Sequence, residues 1–146
     1  MSRNRASAKA AGTRAESDVA TVTLTWPLKT WPNPNRDRSK HWGQKSSEAA
    51  KIRASAKIAA MQTMFTHAPI QGRVRLTLIY SYPDTRERDL LNFDTKAFLD
   101  GIVDAGLIED DNYKIMRPIL IDYQPEKSPK GHLTVTATFQ EVKKGG

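Results

Sequence analysis

Arg73-Val74-Arg75-Leu76-Thr77-Leu78-Ile79-Tyr80 alternates polar and apolar side chains, with Val74, Leu76, Leu78 and Tyr80 on one side. A strand repeats every two residues, so this stretch predicts a β-strand with one buried face. Such a strand needs neighbours beside it and a cover on its apolar face. Upstream, Ala20-Thr-Val-Thr-Leu-Thr-Trp26 has the same alternation and predicts a second strand, with Val22, Leu24 and Trp26 facing one way. Between the two, residues 46–65 are rich in alanine and carry Ile52, Ile58, Met61 and Phe65 among Lys51, Arg53 and Lys57, which predicts a helix capped by Ser46 or Ser47. The stretch from Pro27 to Trp42 holds Pro32, Pro34, Asn33 and Asn35 and reads as a long loop that either binds something or is ordered by burying its tryptophans.

Downstream, Tyr82-Pro83-Asp84-Thr85 is a turn, and residues 92–105 predict a helix with Phe98, Leu99, Ile102 and Val103 as its buried stripe. Gly106 is placed to stop it in the left-handed conformation. Strands at 118–123 and 133–139 follow, joined by Glu126-Lys-Ser-Pro-Lys-Gly131 as a hairpin loop. The order βαβαββ implies the α/β (α+β) class: one domain, a four-stranded mixed sheet, and two helices packed on it. Residues 1–18, basic and without an apolar period, are expected to be a disordered arm, residues 19–142 the folded domain and residues 143–146 a flexible tail.

The chain has 146 residues and a net charge of +7, which favours a polyanionic partner. Without cysteine it cannot form disulfides, thiolate zinc sites or a cysteine nucleophile. No apolar run approaches a membrane span and no hydrophobic signal core follows the basic arm, so a soluble, cytoplasmic protein with no membrane partner is expected.

Within this basic chain, Arg86-Glu-Arg-Asp-Leu-Leu-Asn-Phe-Asp-Thr-Lys96 and the later pair Asp110-Asp111 mix carboxylates with cations. Carboxylates repel phosphates unless a hard cation such as Mg²⁺ lies between them, so a metal-dependent nuclease is the first expectation. On a helical wheel Lys96, Asp100 and Asp104 share one side, with Asn92 near Lys96 and Asp94 far from it. A plainer reading makes Asp89 or Asn92 a helix cap, Lys96 with Asp100 a surface pair, and Asp110-Asp111 a polar turn.

Asp89-Leu-Leu-Asn92, Lys96, Asp100, Gly106 and Asp110-Asp111 resemble the signature of the RusA-type Holliday-junction resolvases. An opening strand ending in Trp26-Pro27, the sequence Pro34-Asn35-Arg36 followed by His41-Trp42, and the expected closing hairpin extend the likeness over residues 20–140. The resemblance implies an RusA-like homodimeric, Mg²⁺-dependent endonuclease, with Mn²⁺ as a substitute, that nicks four-way DNA junctions in recombination and repair in bacteria or phage-infected hosts. It further implies Asp89, Lys96 and Asp111 as catalytic residues, with Asp89 and Asp111 binding metal. Leu91 stands where the family has its second aspartate, and one extra residue separates Asp89 from Lys96. The remaining ligand position is then Asn92, Asp94, Asp110 or none. Asn35, Arg36, Lys40, His41, Trp42, Arg86, Arg88, Lys127 and Lys130 are the expected DNA-binding residues. Trp31 and Trp42 are expected to be buried rather than to stack on bases. The alternatives are a DNA-binding module that has lost cleavage through Leu91, and a small basic RNA-binding protein.

A helix over 92–105 would be about 21 Å long, and residues 106–111 reach about 20 Å when extended. Asp111 can therefore join Asp89 only if that segment doubles back along the helix; otherwise a second subunit completes the site.

Overall fold

The alternating stretch around Leu76 is strand β2 (Val74–Ser81), and its Val74, Leu76, Leu78 and Tyr80 are all buried. The structure, a computed structural model, describes residues 19–32, 42–88 and 94–142, with the backbone alone at residues 42 and 44–46. The expected arm (1–18) and tail (143–146) lie outside the described residues. In chain order the elements are β1 (Val19–Pro27), a 3-10 turn (Leu28–Thr30), α1 (Trp42–Thr63), β2, α2 (Lys96–Ala105), β3 (Met116–Gln124) and β4 (His132–Glu141). The fold is α+β: the described residues form two helices and a four-stranded mixed sheet in the order β1-β4-β2-β3.

The closing hairpin is overturned. β3 and β4 are consecutive but not neighbours: β4 lies antiparallel between β1 and β2, and β3 pairs in parallel with β2 on the outer edge. Burial explains the choice. β4 alternates Leu133, Val135, Ala137 and Phe139, all fully buried, with threonines, which suits a strand hydrogen-bonded on both sides. β3 carries Pro118, which has no N–H for a ladder, and leaves Ile119 and Leu120 exposed, features tolerated at an edge. Across the sheet, Leu78 aligns with Ala137 of β4 and Ile121 of β3, so the apolar rows run on from strand to strand. On the opposite face β1 and β4 present threonines, and Thr25 and Thr134 share a hydroxyl hydrogen bond of 2.8 Å.

Helix α1 begins at Trp42 rather than Ser46 and ends at Thr63. It also turns a different side to the core than its large residues imply. Ile52, Ala56 and Ala60 are buried, whereas Ile58, Met61 and Phe65 are exposed. The small side chains let α2 come close: a Cβ built on Gly101 would collide with the Arg53 carbonyl oxygen and lie 2.8 Å from Ala56 Cβ. The crossing is tied by Arg53, whose guanidinium donates to both carboxylate oxygens of Asp104 at 2.6 and 2.9 Å. Trp31 is fully buried and tilted against Phe98 at 6.3 Å between ring centres, so burial is its role, as expected.

Gly101→Ala should destabilise the domain by about 1–3 kcal/mol, because an overpacked crossing must open. Gly43→Ala, where nothing lies within 4 Å of the added methyl, should be neutral or raise stability by up to about 1 kcal/mol. Thermal unfolding of both variants checks the contrast.

Candidate functional site

Helix α2 starts at Lys96, not at residue 92, because Asp94 turns its carboxylate onto the Lys96 backbone N–H at 2.9 Å while its own N–H reaches the Pro32 carbonyl at 3.0 Å. The wheel that set Asn92 beside Lys96 therefore does not apply. Thr95 occupies the cap position of this helix, and Asp89 and Asn92, the expected caps, lie outside the described residues. At the other end Gly106 adopts φ 88°, as expected of the residue that stops it.

The decisive turn comes next. Leu107 and Ile108 enter the core, the Leu107 carbonyl accepts from Ile70 N–H at 2.8 Å, and Glu109 accepts from Gly72 N–H at 3.0 Å. Held at these points, the segment doubles back along α2 and brings Asp111 to Lys96, with Nζ 2.7 Å from Oδ2. Asp110 organises the bend by accepting from the Asp111 N–H at 2.7 Å and from the Asn112 amide at 2.9 Å. These two bonds hold the Asp110 carboxyl below the usual range.

Lys96 Nζ also lies 3.0 Å from Asp100 Oδ1, one turn along the helix. The Lys96 side chain is 62% exposed, whereas Asp111 and Asp100 are 16% and 24% exposed, so two sheltered carboxylates grip an ammonium that reaches into solvent. Asp111 first and Asp100 second raise the lysine pKa, keeping it charged throughout the physiological range. Asp104, on the same polar side, is taken by Arg53 instead.

No family model matches this chain, and no curated protein matches it.

Of the expected site residues, the structure brings together Lys96, Asp110 and Asp111. Asp89, Asn92, Asn35, Arg36, Lys40 and His41 lie outside the described residues; Trp42 opens α1 with only its backbone described. Lys127 and Lys130 are exposed in the β3–β4 connection, where the Lys127 N–H reaches the Tyr82 carbonyl at 3.0 Å. Arg86 is exposed, with Nη2 3.9 Å from Asp84. Arg88 is different, since it is largely enclosed. Its Nη1 is 2.8 Å from Asp84 Oδ1 and its guanidinium lies 4.5 Å over the Tyr82 ring. Tyr82 in turn stacks on Tyr123, and Tyr123 on Tyr80. Burial pushes the Tyr82 hydroxyl pKa up to about 12. Sequence reasoning treated Asp84 as a turn residue and missed its hold on Arg88, although the i, i+4 spacing was a signal.

Among the described residues no group of three or more histidine, aspartate or glutamate side chains could hold a metal ion, and no helix is long and apolar enough to cross a membrane. Mg²⁺ needs only one or two carboxylates, with water and phosphate oxygens completing its shell. The hard oxygens of Asp111 and neighbouring Asp110 fit that requirement in type.

The Asp84 carboxyl is held below its usual pKa, first by the Arg88 hydrogen bond and then by the Arg86 N–H. A depressed carboxyl pKa contributes stability that is present above the unfolded value, near 3.9, and is lost as pH falls through the folded value. Asp84→Asn should therefore lower Tm near pH 7, and the gap to wild type should close as pH falls below the unfolded value and through the folded one. Melting curves across that interval test this.

Proposed function

We propose that this chain is a Mg²⁺-dependent endonuclease of the RusA type, nicking four-way or otherwise branched DNA as a homodimer in the cytoplasm of a bacterium or phage-infected host. The observation that carries the reading is the Lys96–Asp111 contact. Two parts of the resolvase-like signature, separated by the length of α2, meet at one point because the intervening segment folds back.

In this reading Asp111 and Asp89 hold the metal, with Asp110 or Asn92 beside them. When bound, Mg²⁺, or Mn²⁺ in its place, would polarise a water and offset charge developing on the phosphoryl oxygens. Lys96 neutralises charge on the scissile phosphate or its leaving oxygen, a role that suits an exposed ammonium on a sheltered carboxylate base. Arg86, Lys127 and Lys130 present exposed cations to flanking phosphates, contacts that position DNA without reading its sequence. Arg36, Lys40 and their neighbours Asn35, His41 and Trp42 are assigned to the same surface by the resemblance. Arg88, enclosed by Asp84 and Tyr82, holds the turn before residue 89 in shape and reaches DNA least.

A second reading is favoured by Leu91, which puts an apolar side chain where the family has a carboxylate: a junction-binding module without cleavage. Synthetic four-way junctions separate the two readings, and duplex RNA as competitor covers a small basic RNA-binding protein. With Mg²⁺, the wild-type chain should produce paired nicks. Asp111→Asn should lose cleavage by orders of magnitude while binding junctions equally or more tightly, since a repulsive carboxylate has gone. Metal-independent binding without nicks would support the module, and equal affinity for duplex RNA the third alternative.

Resolving a junction takes two opposed cuts, and twofold symmetry supplies two matched sites. Light scattering should therefore show a dimer of the 16.4 kDa chain when junction DNA is present. A monomer at high micromolar concentration with DNA would count against this arrangement.

A further inference from the structure

Asp100 has no role in the mechanism above, yet its position gives it one. The Lys96 ammonium sits between Asp111 Oδ2 at 2.7 Å and Asp100 Oδ1 at 3.0 Å. Asp100 is itself anchored: Arg53 Nη1 lies 3.8 Å from its Oδ2, and Arg53 is clamped to Asp104. Asp104, Arg53, Asp100, Lys96 and Asp111 thus form a row of alternating charge running from the helix crossing to the candidate site.

One carboxylate cannot serve an ammonium and a divalent cation equally well, because the two cations repel at short range. Lys96 therefore competes with metal for Asp111 whenever Asp111 is its main partner. Asp100 offers the ammonium a second carboxylate on the same helix, one it already touches at 3.0 Å and can keep when Asp111 is engaged elsewhere. We propose that Asp100 is a positioning residue, which takes Lys96 when Asp111 engages a divalent cation and so keeps the lysine beside the phosphate without blocking the carboxylate. This rests on the reading of Asp111 as a metal ligand. The row of charges thereby has a direction: the structural end fixes Asp100, and Asp100 sets how strongly Lys96 holds Asp111.

The test is Mn²⁺ binding to the full chain without DNA, followed by the electron paramagnetic resonance signal of free Mn²⁺. Lys96→Met should tighten binding and Asp100→Asn should weaken it, each by about two- to fivefold, the range that exposed ion pairs support. Asp100→Glu, which retains the carboxylate, should restore wild-type binding. The decisive variant combines Lys96→Met with Asp100→Asn: with no lysine to place, loss of Asp100 should cost less than half of what it costs in the wild type. Were Asp100 only a negative charge near the metal, it would weaken binding equally in both backgrounds, and that result, or an Asp100→Asn chain that binds as the wild type does, overturns the proposal. Mn²⁺ binding that is insensitive to Asp111→Asn overturns the metal reading itself and this inference with it. Thermal melts of each variant confirm that the comparison is between folded chains.

Discussion

Once Gly106 turns the backbone into the left-handed region and Leu107 and Ile108 enter the core, the chain can only return along the helix it has just left. That reversal governs both halves of the molecule. It delivers Asp111 to Lys96, and it launches the parallel strand beside β2, so the edge of the sheet and the candidate site come from one packing event. Burying a leucine or isoleucine side chain is favourable by about 1.5–3 kcal/mol, whereas an exposed ion pair contributes at most about 1 kcal/mol. The apolar anchors therefore place the Lys96–Asp111 pair, and the pair does not place the anchors.

Much of the fold was legible wherever a local rule decided the outcome. The alternation in β2 announced its buried face, Gly106 announced the helix stop, and the scarcity of large apolar residues implied that Trp31 would be buried. Partner choice was not legible in the same way. The turn residues of Glu126–Gly131 describe how the chain bends, but which strand β4 joins is settled by the burial of Leu133, Val135, Ala137 and Phe139 against elements far away in sequence. Which face α1 buries was not legible for a related reason. Large side chains attract attention, yet α1 approaches α2 through Ala56 opposite Gly101, and the larger Ile58, Met61 and Phe65 point outward.

The candidate site was legible only as a condition. The lengths of α2 and of the following segment implied that Asp111 meets the start of the motif if the chain doubles back, and the structure supplies that fold-back for Lys96. The Arg53–Asp104 clamp had no sequence signal, because its partners stand 51 residues apart and neither belongs to a motif. Asp94 was judged against a helix that would have included it; instead its side chain closes the first turn from outside.

The place of β4 in the middle of the sheet also shapes how the protein is made. β1 leaves the ribosome first of the four strands, yet its neighbour in the sheet is the last: Thr23 meets Thr136, 113 residues later. During synthesis β1 waits, with Val22 and Ala20 lacking their eventual cover, while the parallel β2–β3 unit has already emerged. Insertion of β4 then joins the two halves at once, a closure of high contact order that makes completion of the sheet slow relative to helix formation. In the interval the nascent chain presents two strand edges that the finished domain keeps together, and in that interval it is most open to pairing with another copy of itself.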